Sequence, residues 1–334
     1  MAKKPKVAVI GTGGTITSLS GNGPLDLYEY TATGKMLEAD QLVDKFPEVR
    51  NVAEIIPVRF KAVPSTAVAF PEWKQVVIEA DKVAAAHPDL AGIVVLHGTA
   101  TLEETAYALN LTAKVKVPIV VVGAQRPASA LSTDAGLNLV NAVRTAACPE
   151  ARGMGVLVCL NDEIQAAREV TKTSTARLQT FRSPDFGVLG QADGDSINFY
   201  RKPLRRGAPD TEFDIRTLDA LPRVDIAYSY AGNDGAATRA FIAAGAKGIV
   251  AAAFAPGMLA PVEMEAMKAA VAAGVVVVIS SRAGSGRTFA SSKIVSAGFI
   301  NADNLTPQKA RILLALALTK TSDPTAIKKM FAMY

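Results

Sequence analysis

Val7-Ala8-Val9-Ile10-Gly11-Thr12-Gly13-Gly14-Thr15-Ile16 is the stretch on which the reading of this chain turns. An apolar run of strand length ends in a glycine-flanked threonine, so a buried strand should carry Thr12 to its carboxyl end on backbone that permits close approach. In an open α/β sheet, ligands bind at that edge. Two phosphate-binding readings fail on the residues themselves. A dinucleotide loop of the form G-x-G-x-x-G needs glycine where Ile16 stands, and a Walker loop needs a Gly-Lys-Ser/Thr that does not follow. A ligand-contacting hydroxyl at Thr12 and a plain strand-to-turn junction both remain open on this stretch alone.

Outward from it, residues 17–35 are polar and carry Gly21, Gly23, Pro24, Tyr28, Tyr30 and Gly34. Such a segment beside a site is either a lid offering a tyrosine hydroxyl or an ordinary surface loop. An amphipathic helix is expected over 36–46 and a strand over 53–63, ended by Pro64-Ser65-Thr66 at the same edge as Thr12. After a helical stretch at 73–86, the apolar run 90–96 reads as a third strand leading into His97-Gly98-Thr99-Ala100-Thr101. Thr101-Leu102-Glu103-Glu104 has the form of a capping box, which puts a helix start and its N–H groups beside Gly98 and Thr99. His97 reads as a hydrogen-bonded structural residue. Further strands at 117–122 and 154–160, with a helix at 135–147 between them, continue the alternation. Gly123-Ala124-Gln125-Arg126-Pro127 follows the first of these strands, and Arg168, Glu169, Thr171 and Lys172 follow the second.

This alternation predicts an α/β fold: an N-terminal, doubly wound, mostly parallel sheet over residues 1–190, a connecting segment over 191–222, and a smaller α/β domain over 223–334. With 49% hydrophobic and 20% charged residues, the chain has ample material for two cores. The net charge is +5, but the basic residues are scattered and aromatics make up only 6%. Nucleic acid is therefore not the expected partner, whereas an anionic small molecule suits the charge. Cys148 and Cys159 lack metal-type spacing and read as reduced thiols. No apolar run reaches the ~18 residues of a membrane span, and no secretory leader pattern opens the chain, so membrane association is not expected and a cytoplasmic location is.

Several corners taken together resemble the bacterial L-asparaginase family, of the long, two-domain, type II-like kind. They are Gly11-Thr12-Gly13-Gly14-Thr15-Ile16, His97-Gly98-Thr99 with Glu103-Glu104-Thr105-Ala106-Tyr107, Gly123-Ala124 with Arg126-Pro127, Val170-Thr171-Lys172-Thr173, Ser280-Ser281-Arg282 and Pro307-Gln308-Lys309-Ala310-Arg311. The resemblance implies an amidohydrolase without cofactor or metal, in which Thr12 attacks a side-chain amide and an acyl-enzyme forms as ammonia leaves. It implies that Thr99 and Lys172 polarise a water or hydroxyl, and that Tyr30, from Tyr30-Thr31-x-x-Gly34-Lys35, sits on a lid against the nucleophile. Gly11, Ser65, Thr66, Gly98, Ala100 and Ala124 are the implied substrate contacts. A homotetramer of tight dimers, with sites completed between subunits, is implied as well. The chemistry agrees, since a threonine hydroxyl is a poor nucleophile until a base or relay such as a desolvated lysine activates it.

The departures from the family pattern converge on one substrate group. The family's His-Gly-Thr-Asp-Thr has Ala100 in place of its aspartate, its Ser-Gln pair reads Ser65-Thr66, and residues 283–296 contain no acid where a neighbouring subunit's glutamate is expected. Asn233 is only an offset candidate for a second-domain asparagine. All of these would normally hold an α-ammonium, and a buried ammonium left without its carboxylate costs several kcal/mol, on the order of what such truncations cost elsewhere. The expected substrate therefore carries a carboxylate but no α-amine. The alternatives are an ordinary asparaginase with its acid relocated to Asp134 or Asp234, and a non-catalytic carboxylate-binding protein.

Overall fold

Val7, Ala8, Val9 and Ile10 are wholly buried, as a strand covered on both faces must be. The computed structural model describes residues 3–334. These form two units, one ending at Arg216 and the other beginning at Thr217. In the first unit, β1 (Lys6–Gly11), β2 (Glu54–Arg59), β3 (Leu90–Leu96), β4 (Ile119–Val122) and β5 (Val156–Leu160) run parallel in the spatial order β2-β1-β3-β4-β5. The chain thus leaves β1 on one side and returns on the other, so a topological switch point falls between the carboxyl ends of β1 and β3. In register, Gly11 lies opposite Leu96.

Alternate strand residues point to opposite faces. Val7, Val9, Val94 and Val120 share one core with Ala39 and Leu42 of α1 (Ala39–Lys45) and Leu139 and Val143 of α4 (Ala135–Ala147). Of the two helices between these, α2 (Phe70–Ala86) packs on β1, and α3 (Leu102–Thr112) packs on β4 and β5. Cys159 lies in the core, and both cysteines are free thiols.

Past β5 the alternation stops for a local reason. Asn161 (φ 51°) and Asp162 (φ 64°) both take the left-handed region, which makes a two-residue hairpin loop of the kind that matches strand twist. The next strand, β6 (Glu163–Ala166), therefore returns antiparallel, with Glu163 opposite Leu160. Within the segment first read as a connector, β7 (Gly190–Ala192) and β8 (Ile197–Phe199) add two further antiparallel strands and complete an eight-stranded sheet. The short, polar character of 190–199 conceals strands that sit at a sheet edge, where one side of the ladder is open.

The second unit holds a parallel sheet of β9 (Val224–Tyr228), β10 (Gly248–Ala253), β11 (Val276–Ser281) and β12 (Ile300–Asn301). Its helices include α5 (Ala236–Ala243), α6 (Pro261–Ala272), α7 (Pro307–Ala317) and α8 (Pro324–Met333), the last three with proline in the first turn. Among the described residues no helix is long and apolar enough to cross a membrane.

The hairpin at Asn161 is testable. Asn161→Val should lower stability by about 1–2 kcal/mol, because a β-branched residue resists the left-handed region, while Asn161→Gly should be close to neutral. Urea unfolding midpoints check this order, and equal effects from the two variants would contradict it.

Candidate active site

At the end of β1 the ladder runs one residue past Gly11. The Thr12 N–H donates to the Leu96 carbonyl at 3.2 Å, and the Thr12 carbonyl accepts from the Val63 N–H at 3.1 Å. The Thr12 hydroxyl donates to the same Leu96 carbonyl at 2.6 Å, and the side chain is only 1% exposed. Thr12, one residue past β1, therefore has its hydroxyl turned to β3, where the family resemblance implied a hydroxyl facing substrate. The chain turns after it, through Gly13 (φ 100°) and Gly14 (φ 92°). A Cβ on Gly14 would lie 2.2 Å from the Gly98 backbone, so only glycine allows the two corners to meet. A single 3-10 turn, Thr15–Thr17, then presents Thr15, whose hydroxyl lies 2.9 Å from the Tyr30 hydroxyl. Both threonines stand beside glycine in the sequence, which by itself does not separate Thr15 from Thr12.

The β3 corner is set by a chain of hydrogen bonds. The Trp73 indole N–H donates to the Thr105 hydroxyl at 2.9 Å, and that oxygen lies 2.8 Å from His97 Nε2. His97 Nδ1 lies 2.8 Å from the Gly98 carbonyl, which only accepts, so Nδ1 carries the proton and Nε2 accepts from Thr105. His97 is fully buried, and burial pushes its pKa down to about 4. It is a neutral structural residue, as expected. The capping box does not form: the Thr101 hydroxyl leaves its own helix and donates to the Ser65 carbonyl at 2.6 Å. That bond ties the Ser65–Ala67 turn to the corner.

Lys172 arrives from a two-residue ladder in which Thr171–Lys172 pairs with Phe181–Arg182. Its ammonium donates to the Thr99 hydroxyl at 2.8 Å and to Gln125 Oε1 at 3.2 Å. Burial holds the Lys172 pKa below the usual lysine range, and the Glu103 charge opposes that shift. A lysine placed this way gives up its proton more readily than an exposed one.

These corners enclose a cavity of about 500 Å³ lined by Thr15, Ser18, Tyr30, Ser65, Thr66, Gly98, Thr99, Ala100 and Lys172, with Lys35 and Met36 among the other lining residues. Among the described residues its charged side chains are Lys35 and Lys172, and no carboxylate lines it. Gly11 and Ala124, expected as substrate contacts, are buried and do not line it. Gly11 lies inside the ladder with Ala39 packed against it, and Ala124 belongs to the core. Asp134 does not fill the place left by Ala100, because its two oxygens accept the N–H groups of Gln125 and Arg126, each at 2.9 Å. In the second unit, Asn233 Oδ1 accepts from the Gly235 N–H and Asp234 Oδ1 from the Ala236 N–H. No cluster of His, Cys, Asp and Glu suited to a metal ion occurs among the described residues.

With this geometry in place, likeness to known proteins can be read. Residues 6–205 match the family model for the asparaginase N-terminal domain, and residues 223–331 match that for the glutaminase/asparaginase C-terminal domain. The chain is 40% identical to L-asparaginase 2 of Bacillus subtilis, over 99% of this chain and 87% of that protein. It is 38% identical to a probable periplasmic L-asparaginase of Haemophilus influenzae, over 99% and 93%. A crystal structure of a probable cytoplasmic L-asparaginase from Campylobacter jejuni superposes with a TM-score of 0.90 at 38% identity, covering 99% of this chain and 100% of that one.

The buried, neutral His97 makes stability depend on pH. Its pKa falls from 6.5 to about 4 on folding. The unfolded chain therefore binds more protons between those values, and stability drops as pH falls through that window. Between pH 7 and pH 5 this loss should be about 2 kcal/mol, and His97→Gln should abolish that part of the pH dependence. Urea unfolding at the two pH values measures it, and an unchanged slope in the variant would refute the assignment.

Proposed function

The chain belongs to the asparaginase family of amidohydrolases, and within that family we propose that Thr15 is its nucleophile and that its substrate is an amide bearing a carboxylate but no α-amine. One observation carries the reading: one cavity contains the Thr15–Tyr30 hydroxyl pair and the Thr99 hydroxyl bonded to the Lys172 ammonium, and among the described residues its lining has lysines and no acid.

In the proposed reaction the Thr15 oxygen attacks the amide carbonyl carbon, and its proton is relayed through the Tyr30 hydroxyl, which takes it up as it hands its own proton on toward the leaving nitrogen. A hydroxyl needs such a partner to act near neutral pH. The oxyanion that develops is met by N–H groups of the Gly98–Thr99 corner and by the positive end of α3. The C–N bond breaks as the nitrogen takes up a proton, so ammonia leaves and an ester to Thr15 remains. Water polarised by Thr99 and Lys172 then attacks that ester, which releases the acid and returns the proton to Thr15. The sum is amide plus water to acid plus ammonia.

The charge of the lining supports the choice of substrate. An α-ammonium entering this cavity would meet Lys35 and Lys172 with no carboxylate to pair it, and desolvating a charge without a partner costs several kcal/mol, an estimate of the usual scale of such penalties. A carboxylate gains from the same surroundings, with the Ser65 hydroxyl as an additional donor. A dicarboxylic monoamide is the simplest molecule of this kind. A homotetramer and a cytoplasmic location belong to the same reading. The similar Campylobacter jejuni chain is a probable cytoplasmic protein and the Haemophilus influenzae relative a probable periplasmic one, so fractionation of cells and light scattering of the purified protein are the direct tests.

Ammonia release from a panel of ω-amides, with and without an α-amine, tests the assignment. Thr15→Ala should reduce turnover by about three orders of magnitude or more. Thr12→Val should retain most turnover and instead cost about 1 kcal/mol of stability, by removing one of the two donors to the Leu96 carbonyl. The opposite pattern would restore Thr12 as the nucleophile.

Ala100→Asp should raise kcat/KM for L-asparagine by about tenfold, equivalent to about 1.4 kcal/mol, and lower it for amine-free amides. Efficient hydrolysis of L-asparagine by the unmodified protein would overturn the substrate proposal, and binding of carboxylates without turnover of any amide would favour a non-catalytic role.

A further inference from the structure

Bonded to the backbone of Lys172, and not among the residues that line the cavity, is a carboxylate that the proposed reaction leaves unused. Glu103, in the first turn of α3, is 6% exposed. Its Oε1 accepts from the Thr171 hydroxyl at 3.1 Å and from the Lys172 backbone N–H at 3.2 Å. Its Oε2 is buried without a hydrogen-bond partner. Burying a carboxylate oxygen without a donor is unfavourable, and a glutamine could accept the same two N–H and O–H bonds at lower cost. The charge itself is what a glutamate offers at this position.

The hydrogen-bond partners of the Lys172 ammonium are neutral, and Tyr30 lines the same cavity. Thr99 and Gln125 accept from its ammonium, and Phe181 lies opposite it in the ladder. The other charged groups nearby are Lys35, which lines the same cavity, and the exposed Arg182, opposite Thr171. With alanine at position 100, no acid stands in the cavity to balance the lysine. We propose that Glu103 is the counter-charge of Lys172, a positioning residue that holds the lysine's backbone and sets the pH at which its ammonium gives up a proton, from outside the space the substrate occupies. A carboxylate placed there tunes the lysine without repelling an anionic substrate. The inference rests on reading Lys172 as the proton-handling group of the site, but its test needs no substrate.

Trace labelling with acetic anhydride from pH 6 to pH 11, followed by mass spectrometry of the Lys172 peptide, gives the midpoint at which this amine becomes reactive in the intact protein. Glu103→Gln keeps the acceptor oxygen and removes the charge, whereas Glu103→Asp keeps the charge and shortens the reach. The midpoint should fall by roughly one pH unit in Glu103→Gln and stay near the wild-type value in Glu103→Asp, while exposed Lys320 serves as an unshifted internal control. A purely structural role predicts the reverse order, since aspartate loses the hydrogen bonds that glutamine retains. That order, or an unmoved midpoint in Glu103→Gln, overturns the proposal. Failure of every amide to turn over leaves this titration readable, so the two readings fall or stand separately.

Discussion

Gly14 and Gly98 meet with no side chain between them, and the site depends on that contact. β1 and β3 are neighbours because of the strand order, yet adjacency alone would leave their outgoing loops free to diverge. Gly14 is in a left-handed conformation and Gly98 has Ser65 close on its other side, so three separate corners converge on a few ångströms of backbone. Bonds reaching far along the chain then lock them. The Thr101 hydroxyl holds the Ser65 carbonyl, and the Trp73–Thr105–His97 chain holds the Gly98 carbonyl. Rigid backbone of this kind is what holds hydroxyls on different loops at hydrogen-bonding distance.

The electrostatic character of the site follows from where its charges sit. Lysines line the cavity and the acids lie elsewhere: Glu103 behind the ladder and Asp134 beneath the Gln125–Arg126 backbone. In water such an arrangement would matter little, but in a partly closed space the same charges act through a lower effective dielectric. The charged lining of the cavity is therefore positive, and the backbone of its lysine is bonded to a carboxylate that does not line the cavity. With alanine at position 100, Glu103 is the carboxylate that remains bonded to the Lys172 backbone.

Much of this was legible from residues alone. The apolar runs at 7–10 and 90–96 announced buried parallel strands, and the glycine- and threonine-bearing corners that follow them marked the ligand edge. Ser65, Thr99, Ala100, Tyr30 and Lys172, singled out in the sequence, all line one cavity. Other features were misread where a local pattern competed with a distant partner. The Thr101 capping box is correct as a pattern, but its hydroxyl finds the Ser65 carbonyl instead. The Asn161-Asp162 pair carried the signal of a hairpin, yet a run of alternating strands and helices made continued parallel pairing the natural expectation.

Sequence by itself determined the α/β class, the polarity of the β1 and β3 ends and the chemical types available there, because hydrophobic period and turn residues act over a few positions and can be read locally. Only the tertiary structure decided which threonine faces the cavity. Thr12 and Thr15 are three residues apart in near-identical settings, and what separates them is that Leu96, 84 positions beyond Thr12, offers its carbonyl to Thr12 and draws it into the ladder. The Lys172–Thr99 bond likewise spans 73 positions and exists only because the sheet brings their loops together. Hydrogen bonds with partners that far along the chain have no local signature, so folding alone selects among residues that the sequence leaves equivalent.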